Sequence, residues 1–165
     1  MEIVSIDVDE SINNDIPANQ IAEILAQRKS EAYPSTRLLD NEILITADTI
    51  VVLDGKKLGK PQTRDEAVSM LNALSGKMHH VYTGVCLKTN QRLQAFTEQT
   101  SVHFKTLSQK EIDYYIDHFH PLDKAGAYGI QEWIGMIGIQ RIEGCYYNVM
   151  GLPLARLYKE IIQIA

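Results

Sequence analysis

The sequence has only two cysteines, Cys86 and Cys145, among its 165 residues. They lie far apart and in no metal-ligand spacing, so we interpret them as two reduced thiols. No run approaches the roughly 18 consecutive apolar residues of a membrane-spanning helix, and the start lacks a charged segment followed by an apolar core. Basic residues are fewer than acidic ones, 16 Lys and Arg against 21 Asp and Glu, whereas nucleic-acid binding normally needs a basic face. We therefore expect a cytoplasmic protein with no membrane span and no nucleic-acid partner.

The length and composition of the chain predict one domain over residues 1–165. Its 45% hydrophobic and 22% charged residues suit a chain that buries a core without disulfides. Strands and helices mix without strict alternation, which indicates an α/β or α+β fold with a central mixed β-sheet flanked by helices. The predicted elements are helices over about 17–33, 63–76 and 108–119 and from about 153, with strands over 43–53, 81–88, 93–105 and about 136–142.

Asp48 is the most distinctive candidate for chemistry. It lies within the most apolar predicted strand, between Thr46 and Thr49. Burying an unpaired carboxylate costs several kcal/mol, so Asp48 requires a cationic or metal partner or a place at an open end of the strand. The alternative is an aspartate that caps a neighbouring loop by hydrogen bonds.

A second acidic group, Asp7, Asp9 and Glu10, follows an alternating segment from Glu2 to Ile6 that is typical of a strand. Carboxylates gathered at a strand end are ligands that Mg²⁺ accepts. The alternative is an acidic loop that is simply solvated.

Three lysines are candidates for holding an anion: Lys29, Lys60 and Lys124. Lys60 lies between a glycine and a proline, and Lys124 precedes a loop of small residues through which a ligand can approach the backbone. Each could instead be an ordinary surface charge. Because no nucleophile-elbow or phosphate-loop motif is present, carboxylates and lysines together point to metal-assisted phosphoanhydride hydrolysis.

Several motifs, in order along the chain, resemble the Maf family of nucleoside triphosphate pyrophosphatases. They are Asp7-Val8-Asp9-Glu10, Leu25-Ala26-x-x-Lys29, Ala47-Asp48-Thr49-Ile50-Val51-Val52, Leu58-Gly59-Lys60-Pro61, Ala73-Leu74-Ser75-Gly76, His80-Val81-Tyr82-Thr83-Gly84-Val85, Pro121 to Gln131, and Tyr146-Tyr147-Asn148-Val149-x-Gly151-Leu152-Pro153. The resemblance implies a cytoplasmic enzyme, often dimeric, with a mixed-sheet α/β fold shared with inosine triphosphate pyrophosphatases. It implies hydrolysis of a nucleoside triphosphate to the monophosphate and pyrophosphate with a divalent metal, Mg²⁺ or Mn²⁺.

The resemblance also assigns roles to single residues. The late loop, Ala125 to Gln131, resembles the branch that acts on dTTP and UTP. Asp48 matches the family's proton acceptor, Glu10 an acidic position of the active site, and both would hold the metal. Thr49 and Gln131 match positions that determine substrate specificity, and Lys29 and Lys60 match lysines that contact phosphate, with Lys60 counted among the catalytic residues. We add Lys124 as a substrate-binding residue.

One family feature has no counterpart here, a Ser-x-Ser-Pro-Arg-Arg loop that follows the opening strand. We therefore expect a domain that is N-terminally truncated relative to the family, with weakened affinity for triphosphate. The alternative is a non-catalytic nucleotide-binding or regulatory protein of cell division on the same scaffold.

Overall fold

The computed structural model describes residues 3–4, 6, 8–13 and 16–164. Glu2 and Ser5 of the predicted opening strand, and Asp7, lie outside the described residues. The described members of that segment, Ile3, Val4 and Ile6, are not in a strand. The predicted lack of an upstream segment stays a prediction.

The described residues form a five-stranded sheet in the order β2-β1-β3-β4-β5. Its strands are β1 Leu44–Leu53, β2 Lys56–Leu58, β3 Met78–Lys88, β4 Leu93–Phe104 and β5 Ile139–Glu143. All four pairings are antiparallel. The α/β class is confirmed, but the expected mixture of parallel and antiparallel pairs is absent from these strands. Tight hairpins account for the antiparallel pairing of β1 with β2 and of β3 with β4.

Six α-helices accompany the sheet in the described part of the chain. They are α1 Ala18–Ala32, α2 Arg64–Leu74, α3 Gln109–Phe119, α4 Trp133–Gly138, α5 Tyr146–Val149 and α6 Leu154–Ile164. The predicted caps are present, since the Thr63 side chain accepts a hydrogen bond from the backbone of Glu66 and Ser108 forms a capping box with Glu111. None of the helices described is long and apolar enough to cross a membrane.

Helices cover both faces of the sheet, and β1 shows why. Ile50 and Val52 pack in a cluster with α1, whereas Val51 and Leu53 pack in the larger cluster with α2 and α3. Successive side chains of a strand point to opposite faces, so both faces of β1 are buried, as its continuous apolar sequence predicts. Asp48 therefore lies on the α1 side and Thr49 on the opposite side.

Two boundaries differ from the sequence prediction by three residues, and the others by at most two. Strand β3 begins at Met78 rather than Val81, because Met78 pairs with His103 of β4. Residues 136–138, predicted as strand, belong to α4, and β5 begins at Ile139. Short apolar runs do not distinguish a strand from a buried helical turn by periodicity alone, and here the fully buried Ile134 fixes the helical turn against the core.

Candidate active site

A cleft of about 270 Å³ opens beside the first half of β1. Strand β2 pairs with Val51–Leu53 only, so the preceding part of β1 has no strand on that side among the described residues. Five of the seven predicted site residues line the cleft: Asp48, Thr49, Lys60, Lys124 and Gln131.

The other two predicted residues lie behind Asp48: Lys29 contacts Asp48 directly, and Glu10 contacts Lys29. Lys29 Nζ donates to Asp48 Oδ1 at 2.5 Å and lies 3.4 Å from Glu10 Oε1. The side chains of Asp48 and Lys29 are 13% and 21% exposed, and that of Glu10 is 49% exposed. Asp48 thus has the cationic partner that its burial requires.

A glycine lets α1 bring Lys29 to this position. Gly84 of β3 pairs with Asp48, and a Cβ built on Gly84 would lie 2.2 Å from the carbonyl carbon of Ala22 in α1. Only glycine permits that approach. Lys29 lies two helical turns after Ala22 and therefore on the same face of α1, which places its ammonium over Asp48.

The pKa values of this pair suit a proton acceptor next to a fixed positive charge. Burial raises the pKa of the Asp48 carboxyl, and the Lys29 ammonium opposes part of that rise. For Lys29, burial acts to lower the pKa, but the carboxylates of Asp48 and Glu10 outweigh it and the pKa is raised. Lys29 therefore stays charged at neutral pH, and Asp48 is more basic than an ordinary aspartate.

Lys60 and Lys124 come to the cleft from two loops that are bonded to each other. The backbone nitrogen of Gly126 donates to the carbonyl of Gly59 at 3.0 Å. Gly126 has a φ of +69°, and a Cβ there would lie 3.1 Å from a methyl group of Val51. Glycine suits this position because it tolerates the positive φ and has no Cβ to press against Val51. The loop of small residues can therefore lie close to β1, which places Lys124 next to the Lys60 loop.

Lys124 is held by carboxylates on either side. Its Nζ lies 2.9 Å from Asp123 Oδ1 and 3.3 Å from Glu132 Oε1. Glu132 accepts a hydrogen bond from the Tyr115 hydroxyl, which in turn accepts one from the backbone nitrogen of Gly129 at 3.0 Å. Burial acts to lower the pKa of Lys124, but the two carboxylates raise it overall. Lys124 is therefore a charged group in a fixed position.

Thr49 and Gln131 line the cleft without a charge of their own. Thr49 Oγ1 lies 2.9 Å from Thr83 Oγ1, and Thr83 is fully buried. Gln131 is exposed on the turn before α4, so its amide is free to orient toward a ligand. Val149 and Gly151 complete this side of the cleft.

The donor set fits the divalent cation that the family resemblance implies. The carboxylates of Glu10 and Asp48 both contact the ammonium of Lys29. The two carboxylates therefore already bind a positive charge at this position. Among the described residues no three His, Cys, Asp or Glu side chains form a metal-binding group. Mg²⁺ is commonly held by one or two carboxylates together with substrate phosphates, and Asp48 and Glu10 match that arrangement.

The sequence did not identify the residues that hydrogen-bond to the cleft-lining side chains and hold them in place. Tyr115 and Glu132 position Lys124, and Thr83 and Asn148 lie behind Thr49. Thr83 and Asn148 stand inside motifs that carried the family resemblance, so that resemblance was the available signal. No comparable signal marks Tyr115, because helical periodicity indicates which side chains are buried and does not report where a hydroxyl points.

Comparison with known proteins agrees with this geometry. The dTTP/UTP pyrophosphatase of Bacteroides thetaiotaomicron is 54% identical over 155 residues, which cover 94% of this chain and 80% of that protein. The protein of the same name from Porphyromonas gingivalis is 52% identical over 155 residues, which cover 91% of this chain and 78% of that protein. The sequence profile described as Maf-like protein matches residues 1–164. The resemblance noted from the motifs is confirmed, and the chain belongs to the Maf family.

Proposed function

We propose that this chain hydrolyses nucleoside triphosphates, dTTP and UTP in particular, to the monophosphate and pyrophosphate. The observation that carries the proposal is the cleft that brings one half-buried carboxylate, Asp48, together with two lysines, Lys60 and Lys124. Relatives about half identical to the chain bear the name dTTP/UTP pyrophosphatase. No observation of this geometry specifically favours the alternative, a non-catalytic nucleotide-binding or regulatory protein of cell division on the same scaffold.

Asp48 is the proton acceptor in this proposal. A water molecule attacks the α-phosphorus, its proton passes to Asp48, and the bond from the α-phosphorus to the bridging oxygen breaks so that pyrophosphate leaves with the electron pair. The raised pKa of Asp48 favours this role. Lys29 keeps the carboxylate oriented and charged until the proton arrives.

Lys60 and Lys124 bind phosphate oxygens. Negative charge builds on the leaving pyrophosphate, and cations already fixed in the cleft stabilise it without reorganisation. Lys124 is fixed by Asp123 and Glu132. Lys29, predicted to contact phosphate, would do so from its place beside Asp48.

Asp48 and Glu10 would hold a divalent cation, Mg²⁺ or Mn²⁺. When bound there, such an ion polarises phosphoryl oxygens and lowers the pKa of water.

The test is a panel of nucleoside triphosphates with Mg²⁺, Mn²⁺ or chelator, in which pyrophosphate release is measured. We expect release to be fastest with dTTP and UTP and to stop with chelator. Binding of dTTP without release of pyrophosphate would contradict the proposal and favour a non-catalytic nucleotide-binding protein. Release of inorganic phosphate instead of pyrophosphate would contradict the assigned position of cleavage.

We also propose a homodimer that forms through α6. Leu154, Tyr158 and Ile162 follow one another at four-residue spacing and are 45%, 67% and 62% exposed, so they form one apolar stripe on the face of α6 that points away from the sheet. Sedimentation at several concentrations tests this: the parent should sediment as a dimer and Tyr158→Glu as a monomer. A monomeric parent would contradict it.

The cytoplasmic location stays a prediction from the sequence.

A further inference from the structure

The hydrogen bonds behind the cleft determine the direction of one proton. Thr83 Oγ1 lies 2.8 Å from the backbone oxygen of Asn148, which can only accept. A hydroxyl has one proton to donate, so Thr83 uses it on Asn148. In the contact of 2.9 Å between the two hydroxyls, Thr49 must therefore be the donor and Thr83 the acceptor.

The rest of this network keeps Thr83 in place. The Asn148 side-chain nitrogen donates to the carbonyl of Val81 at 3.1 Å and to Thr100 Oγ1 at 3.0 Å. Thr83, Thr100 and Asn148 are fully buried. Asn148, whose backbone oxygen accepts from Thr83, is thus hydrogen-bonded to the sheet through its side chain at two further points. The direction of the Thr83 proton therefore does not depend on a mobile side chain.

Thr49 consequently presents only lone pairs to the cleft. Its proton points inward to Thr83, and its oxygen is accessible from the opposite side because Gly151 has no side chain there. A Cβ on Gly151 would lie 3.5 Å from Thr49 Oγ1. The hydroxyl therefore faces a ligand as a hydrogen-bond acceptor and not as a donor.

An acceptor at this position restricts what can bind beside it. Phosphate oxygens at neutral pH offer lone pairs and almost no protons, so the polyphosphate belongs at Lys60 and Lys124 and not at Thr49. On a pyrimidine, uracil and thymine carry an N3–H donor, whereas cytosine carries a lone pair at N3. Cytosine would place an acceptor against an acceptor.

Resting on the proposed function, we infer that Thr83 is a positioning residue for base selection. It orients the Thr49 hydroxyl so that the cleft accepts the imide N3–H of uracil or thymine and rejects cytosine. Leaving such polar groups unpaired typically lowers affinity about tenfold to a hundredfold.

Thr83→Val tests the inference, because valine has the shape of threonine without the hydroxyl. The carbonyl of Asn148 keeps a donor in this variant, the backbone nitrogen of Gly151 at 3.0 Å. The freed proton of Thr49 can then turn into the cleft and meet cytosine N3. Thr83→Ser retains the hydroxyl. Thr46→Val is a matched control, since Thr46 is a buried threonine of the same strand as Thr49 but donates to Ala26 of α1 at 2.6 Å.

Two measurements are made on each protein, kcat/KM for UTP and CTP and dissociation constants for their α,β-methylene analogues. We expect the preference for the uracil compound to fall about tenfold or more in Thr83→Val and to remain within threefold of the parent in Thr83→Ser and Thr46→Val. If Thr83→Val does not fold, Thr83→Ala makes the same deletion and is judged by the same criterion.

The two readouts separate this inference from the proposed function. A parent that binds the uracil analogue preferentially but releases no pyrophosphate contradicts the hydrolytic function alone, and the binding ratios still decide the role of Thr83. An unchanged ratio in Thr83→Val, an equal loss of both nucleotides, or a parent with no preference for uracil would each overturn the inference.

Discussion

Replacing Asp48 with asparagine separates the proposed catalytic role of this residue from its structural one. Asparagine has nearly the same shape, and its side-chain oxygen can still accept the hydrogen bond from Lys29. What the change removes is the negative charge and the capacity to take a proton from water.

The cost to stability should be small. Breaking a fully buried ion pair costs about 3–5 kcal/mol, but the Lys29 side chain is 21% exposed and keeps Glu10 at 3.4 Å. Asparagine also avoids the burial of a charge, which is the main cause of the raised pKa of Asp48. We expect the free energy of unfolding to fall by no more than about 1 kcal/mol, which is a shift of about 2–4 °C in Tm for a protein of this size.

The pH dependence of stability has a defined sign for this residue. A carboxyl whose folded pKa is raised binds its proton more tightly in the folded state. Its contribution to stability is therefore fully present below the unfolded pKa, about 3.9, and is lost as the pH rises through the higher folded value. This additional stability at low pH should be absent from Asp48→Asn.

The cost to turnover should be large. A positioned general base contributes about 10²–10⁴-fold to a rate, and a hundredfold loss corresponds to about 2.7 kcal/mol in the activation free energy. Pyrophosphate release and thermal unfolding should be measured on the same preparations. Asp54→Asn is the control, since Asp54 lies in the turn after β1 and pairs with Lys77 at 3.0 Å, away from the cleft. Turnover above a third of the parent value in a folded Asp48→Asn would refute the assignment.

Three further predictions follow from the same structure. Lys60→Ala and Lys124→Ala should each lower kcat and nucleotide affinity. Tm should change little in Lys60→Ala, because Lys60 is exposed and exposed charges contribute little to folding, but it should fall in Lys124→Ala, which leaves the carboxylate of Glu132 without its cation; early melting of Lys60→Ala would indicate a structural role instead. Gln131→Glu should change the ranking of dTTP, UTP and purine nucleotides in the pyrophosphate assay, because the variant loses the amide donor; an unchanged ranking removes Gln131 from base recognition. Burial lowers the pKa of His79 to about 4, so its stabilising contribution, complete above about pH 6.5, should be lost as the pH falls toward 4. The free energy of unfolding, measured by chemical denaturation between about pH 6.5 and 4, should show that loss in the parent and not in His79→Gln.

The elements that the sequence predicted are those whose signals are local. Thr63 and Ser108 mark the starts of α2 and α3 because a cap and its partner lie three residues apart. Helix α4 has no side-chain cap, and its six residues carry too few turns for a periodic pattern. It forms because Ile134 is buried among residues distant in sequence.

The site was predictable to the extent that it depends on residue type. A carboxylate within an apolar strand requires a partner, which identified Asp48, and the structure supplies Lys29. The direction of the Thr49 proton depends instead on Asn148, 65 residues after Thr83. No spacing rule connects these positions, since only the folded sheet brings the hydroxyls together.

The alternation of β1 would let one cleft serve both of the roles proposed for it, proton transfer at Asp48 and base selection at Thr49. Asp48 and Thr49 are adjacent, so their side chains leave opposite faces of the strand, and each face offers a different environment. The α1 face gives Asp48 the ammonium of Lys29, and the other face gives Thr49 the buried hydroxyl of Thr83. A strand paired on both sides would separate the two environments. Because β2 pairs only from Val51 onward and both side chains line the cleft, a ligand beside β1 can contact the Asp48 carboxylate and the Thr49 hydroxyl together.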